Sequence, residues 1–294
     1  MTLRRLFLLN PILEEATRAR RKFFRVAGGP GKGLSYVAVA IIALIYLWIV
    51  AEVMLIRDDM SIPILYFQLI AVTLIMPVSL YGAISGERER TTWEALILTR
   101  LTPGQIVVGK VLWRLAGLLL LMLLFLVPLL VGNNTISSYP SRSYAGALAL
   151  AEAMTFAWGC VLCAFSLWVS ANTRRSVTSA ALIFVSLLAV LVLLPSLLSM
   201  LGGMGNGMGN GQADYAGNYP AWIIMHVNAF YALNRITATY NDYTHGSNPN
   251  DGDPLHGTQW GLLQIALYLV GAGVFLYVAF RSLKIWEEPK HRLG

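Results

Sequence analysis

Charge is what this chain has least of. Asp, Glu, Lys and Arg make up 13% of its 294 residues, about half the share of an ordinary soluble domain. Hydrophobic residues make up 56%, more than a soluble surface tolerates, so a water-soluble globular protein is excluded. Cysteine is nearly as scarce. Cys160 and Cys163 have C-x-x-C spacing, but no second pair or nearby His completes four ligands, so they read as small packing residues on one helix face. A nucleotide-binding loop is missing as well. The string Gly28–Gly33 resembles one superficially, yet Val26 stands where its first Gly belongs, and Gly33 follows Lys32 where Ser or Thr is needed. The chain therefore has no ATP site of its own. Zinc-protease helices, nucleophile elbows and intramembrane Asp or His pairs are lacking too, which sets aside a membrane enzyme.

What the chain does have is long apolar runs. Six of them, at about 34–56, 62–84, 106–131, 146–170, 177–201 and 259–281, are each long enough to cross a bilayer. Only a helix satisfies its own backbone there, so the expected fold is an all-α polytopic membrane protein with six transmembrane helices. The chain then divides into an N-terminal segment 1–33, a transmembrane domain 34–281 with a long loop at 202–258, and a C-terminal tail 282–294. In the first segment Asn10 and Pro11 suit a helix start, and Ile12, Ala16, Ala19, Phe23 and Val26 recur at helical spacing among five basic residues. That pattern fits an amphipathic helix in the membrane interface, with a solvated basic helix as the alternative. The segment lacks the compact apolar core of a cleavable signal peptide, so the first span is expected to direct insertion.

Orientation follows from where the positive charges lie. With both termini cytoplasmic, 19 of the 22 lysines and arginines fall on the inner side, and only Arg57, Arg142 and Arg235 fall outside. The expected location is the inner (plasma) membrane. The net charge of +7 then faces anionic lipid, and no nucleic-acid partner is needed to explain it.

Between the second and third runs lies a charge-dense stretch, Ile84 to Leu96, holding Glu87, Arg88, Glu89, Arg90 and Glu94. Positive residues orient a protein, but orientation does not call for three glutamates. A short surface helix of about 87–100 is expected here. It meets the third span through Thr102, Pro103, Gly104 and Gln105, where Thr102 as N-cap, Pro103 at the first position and Gln105 at the third form a capping box. On the opposite side, Gly202–Gly211 is low-complexity, about 220–233 turns apolar and aromatic and reads as a short interfacial or re-entrant helical segment, and 241–253 reads as a solvated turn.

Two carboxylates fall within spans, Glu52 in the first and Glu152 in the fourth. Such groups usually face a bundle interior or a wet cavity, so they are candidates for the substrate path or for ion coupling; pairing with a neighbour is the plainer alternative. Met200, Met204 and Met208 with His226, His245 and His256 have the ligand types that copper prefers, but Met in a Gly-Asn loop reads as filler.

The stretch from Gly86 to Thr99, followed by Leu101 to Lys110, resembles the cytoplasmic loop of ABC type-2 exporter permeases: an acidic-basic run, a Thr-hydrophobic-Glu step, a Thr-Pro turn and a closing Gly-Lys. Thr91 stands where that family has Gly, and Trp93-Glu94 where Leu-Glu is common. Six spans, a basic N-terminal helix and an Asn-x-Phe-Tyr-Ala-Leu step at Asn228–Leu233 match the family's layout. The resemblance implies a permease driven by two copies of a separate ATPase subunit, which would hold the ATP and Mg. It also implies a coupling helix that docks on that ATPase through Glu87, Arg88, Glu89, Arg90, Thr91, Trp93 and Glu94, and pairing with a second permease subunit. A homodimer is expected, with spans near the first, second and fifth at the contact. The rival expectation is a transporter or channel driven by an ion gradient through Glu52 and Glu152.

Overall fold

Every apolar run that the structure describes is a helix. The computed structural model describes residues 44, 51, 61–89, 103–134, 141–197, 228–245 and 257–287, and among these there is no strand. We number the helices α1 (Ser61–Leu80), α2 (Ser85–Glu89), α3 (Pro103–Asn134), α4 (Ser141–Asn172), α5 (Ser176–Leu188), α6 (Ala229–His245) and α7 (Gly257–Glu287). Five stretches are long and apolar enough to cross a membrane: Ile62–Glu89, Gly104–Leu130, Gly146–Asn172, Ser176–Leu197 and Gly261–Leu283. They coincide with five of the six expected runs. Of the sixth, 34–56, only residues 44 and 51 are described, and the N-terminal segment and Glu52 lie outside the described residues.

Side-chain pairs fix the direction of each helix. Gln68 meets Glu152, Thr73 meets Trp158, Met76 meets Cys163 and Ser85 meets Ser170, so numbers rise together and α1 runs parallel to α4. Trp158 stacks near Tyr268 and Phe165 near Phe275, so α7 is parallel to them as well. In α3 the order reverses. Phe125 lies against Phe67 and Lys110 reaches Ala83, so α3 is antiparallel to α1. That alternation is what a chain crossing back and forth requires.

Helix α4 sits at the centre, packed against α1, α3, α6 and α7. Half of its spanning window is buried inside the chain, against 11% for the span that α5 begins. Its composition explains the difference, because Ala151, Ala157, Gly159, Cys163 and Ala164 let neighbouring backbones come close. At Gly159 a Cβ would stand 2.5 Å and 3.0 Å from the two Leu118 methyls of α3 and 3.3 Å from Val72 of α1. The cysteines belong to this packing: Cys163 is buried with Sγ 3.6 Å from Met76 Sδ, and both thiols are free.

The loop at 202–258 differs from expectation in one place. Residues 241–245, read as part of a solvated turn, are the last residues of α6. Helix α6 carries a stripe of buried residues, Ala229, Ala232, Leu233 and Ile236, and the polar residues after it extend the same helix instead of ending it. Residues 220–227 lie outside the described residues.

The crowding at Gly159 generates a prediction. Gly159→Val should lower thermal stability in detergent by about 1–3 kcal/mol, because the added methyls wedge α4 off both α1 and α3. Gly271→Ala, where nothing stands within 4 Å, should leave it unchanged. Equal unfolding midpoints for the two variants would show that α4 does not pack this way.

Candidate functional site

Helix α1 does not run smoothly into the charged stretch. After Leu80 its bonding tightens, and Ala83 N–H donates to Leu80 O at 3.0 Å, taking the carbonyl that Ile84 N–H would have used in an α-helix. The displaced amides go to another helix. Ser170 Oγ of α4 accepts from Ile84 N at 3.0 Å and from Ser85 N at 3.1 Å. Ser85 Oγ donates to Tyr81 O at 2.9 Å and lies 3.2 Å from Ser170 Oγ. With the Ser85 proton committed to Tyr81, the Ser170 hydroxyl is the donor between the two. The carbonyl of Ala83 is reached by Lys110 Nζ of α3.

Three charges follow the break, and each is tied to a different helix. Glu87 Oε2 lies 2.7 Å from Lys110 Nζ, so the same ammonium holds the break and the charged stretch together. Arg88 Nη1 donates to Ala171 O at 2.7 Å, at the C-terminal end of α4. The Glu89 carboxylate accepts from the Ser176 amide at 3.2 Å and from its hydroxyl, at the N-terminal end of α5. The first helical position of α5 needs this, because its own N-cap, Arg175, makes no side-chain cap bond.

The signs match the helix dipoles. A cation sits at the carbonyl end of α4 and an anion at the amide end of α5, each worth about 0.3–1 kcal/mol when exposed and up to ~2 when partly buried. Two adjacent residues thus read opposite ends of two helices across the Thr173–Arg175 turn. Gly82 lies beside the same turn, where a Cβ would be 3.7 Å from Ser176 Cβ. The result is one block. The ends of α1, α3, α4 and α5 are all bonded to the nine residues from Tyr81 to Glu89.

Of the residues expected to form the coupling site, Glu87, Arg88 and Glu89 are therefore bonded to their own chain. Arg90, Thr91, Trp93, Glu94 and Thr102 lie outside the described residues. Pro103 opens α3, as the turn chemistry anticipates, and Gln105 is half-buried in its first turn. Lys110, Ser170 and Ser176 are the site residues that sequence reasoning passed over. Lys110 had a signal, as the end of the Gly-Lys step, whereas the two serines read as ordinary helix positions.

Glu152, the candidate within a span, faces inward. The fully buried Gln68 donates from Nε2 to Glu152 Oε2 at 2.8 Å, bridging α1 and α4. Gln68 Oε1 and Glu152 Oε1 make no hydrogen bond among the described residues. Replacing Glu152 by Gln adds an NH2 that can donate to Gln68 Oε1 while the new carbonyl still accepts from Nε2, so E152Q should match or exceed the parent in thermal stability. E152L leaves the buried amide unpaired and should lose about 1–2 kcal/mol. Loss of stability in E152Q comparable to that in E152L would mean that the carboxylate does something other than hold Gln68.

No individual curated protein matches the chain in sequence. A family model does: that of the ABC-2 family transporter proteins, over residues 51–282. The match runs from the end of the first apolar run through α7 and takes in the break, the charged stretch and all five described spans. On that breadth, and with these spans, the chain is a multi-pass membrane protein that belongs to the ABC-2 family of transporter proteins.

Proposed function

We propose that the chain is the transmembrane permease subunit of an ABC exporter, moving a substrate across or out of the membrane while a separate ATPase subunit binds ATP and Mg and hydrolyses the nucleotide. One observation carries the reading. The root of the charged stretch is tied to the ends of α1, α3, α4 and α5, so a push on that stretch reaches four helices at once. A stretch attached to one helix alone would bend. Attached to four, it transmits displacement as a block.

In this reading the charged end is cytoplasmic, which the distribution of Lys and Arg supports, and both termini are on that side. Two ATPase copies dock there on two permease copies. Glu87, Arg88 and Glu89 root the docking element, and Arg90, Thr91, Trp93 and Glu94 meet the ATPase, with Thr102, Pro103 and Gln105 setting the turn into α3. The second permease copy covers apolar surface along α5, where Val177, Leu182, Val185 and Leu188 are all exposed. The path runs between the copies. The Gln68 bond favours reading Glu152 as a tie between helices over an ion-gradient route through Glu52 and Glu152.

Affinity capture of the full chain in mild detergent tests this. An ATPase should be recovered with it, at two permease chains per complex by native mass spectrometry. Glu94→Lys should reduce ATPase recovery and stimulated hydrolysis at least tenfold without lowering the unfolding midpoint, as a lost charged contact at an interface does. Glu87→Lys should lower the midpoint as well, because it places a second cation beside Lys110. A single permease chain with no ATPase, or full recovery in both variants, would overturn the reading.

A further inference from the structure

At the other end of the bundle, α5 is interrupted. Beyond Leu188 it widens into a π-helical turn, Ala189–Leu193, in which Leu194 N–H reaches back five residues to Ala189 O. The cause is two residues further on. Pro195 has no N–H to give Leu191 O, the carbonyl four residues before it, and its ring would strike that carbonyl in a regular helix. Leu191 O is instead reached from outside the helix. Asn228 Nδ2, 37 positions later, donates to it at 3.2 Å.

Asn228 is 93% buried and works at both ends of its amide. Its Oδ1 accepts from Phe230 N at 3.0 Å, and its backbone carbonyl accepts from Ala232 N at 3.0 Å, so it also caps the start of α6. Helix α6 then runs along α4, α7 and α1, with Tyr66 OH 3.4 Å from Asn234 Oδ1. The geometry points to Asn228 as a positioning residue: its amide nitrogen docks α6 on the carbonyl that Pro195 frees, so the widened turn in α5 and the seating of α6 form one switch at the far end of the bundle. Straightening would turn the Leu191 carbonyl back along the helix axis and away from Asn228 Nδ2, so α5 straightens at the cost of that bond. The use of this switch to open the far end of a transport path rests on the permease reading; the bond itself does not.

Hydrogen exchange of the full chain alone in lipid nanodiscs, read by mass spectrometry over residues 229–237, tests it. Asn228→Ser keeps a capping oxygen but cannot reach Leu191, and exchange over α6 should rise roughly five- to tenfold, the value of one hydrogen bond. Pro195→Ala gives Leu191 O its own helical donor, and should raise exchange over α6 by a similar factor although it touches no α6 residue. Because both changes break the same bond, the double variant should exchange within about twofold of either single variant. Multiplying effects in the double variant, or α6 exchange unchanged by Pro195→Ala, would overturn the proposal, and the second result is decisive even if Asn228→Ser fails to fold. No ATPase enters the measurement, so its failure leaves the permease reading standing, and failure of that reading leaves this measurement valid.

Discussion

Between Leu80 and Ser85 the first described span loses its regular helical bonding, and the amides of Ile84 and Ser85 and the carbonyl of Ala83 turn to other helices for partners. An unmet backbone group costs several kcal/mol in hydrocarbon. Ser170 meets the amides of Ile84 and Ser85, and Lys110 meets the carbonyl of Ala83. The break therefore cannot exist unless α3 and α4 are in place beside it. The charges that follow inherit that placement, since Glu87 shares Lys110 with the break, and Arg88 and Glu89 reach the α4 and α5 ends that the same contacts bring near.

The far end solves a similar problem with a different residue. There the interruption is chemical, a proline without an N–H, and one side-chain amide from a distant segment compensates. At the charged end four helix ends are bonded together through several groups. At the far end, among the described residues, the bond from Asn228 to Leu191 joins the start of α6 to α5. Helix α5 connects the two ends, running from the Glu89 contact at Ser176 to the widened turn at Ala189–Leu193.

The five described spans were legible in the sequence because hydropathy alone decides them: runs such as 106–131 and 146–170 leave no alternative to a helix. The start of α3 at Pro103 was legible for the same local reason. The break after Leu80 was not, since Tyr81, Gly82, Ala83 and Ile84 interrupt neither hydropathy nor helix propensity strongly. Its partners also lie far away in sequence, Ser170 by 86 positions from Ile84 and Ser176 by 87 from Glu89. Local pattern gave Glu87, Arg88 and Glu89 a charge and a surface, but could not say that each charge already had a helix end to bind. Helix α6 was misjudged over its last five residues for a related reason: Asn241 to His245 look like loop residues, and only the buried stripe before them carries the helix through.

The most direct measurement is a disulfide across the block. A Cβ added at Gly82 would stand 3.7 Å from Ser176 Cβ, within the Cβ–Cβ span of a disulfide between cysteines at the two positions. If the charged stretch and the ends of α4 and α5 move as one body, the bond forms readily in the membrane, and hydrolysis by the partner ATPase continues at the level of the reduced protein. If oxidation instead stops hydrolysis and reductant restores it, the stretch slides against α5 during the cycle, and the block is not what carries the push.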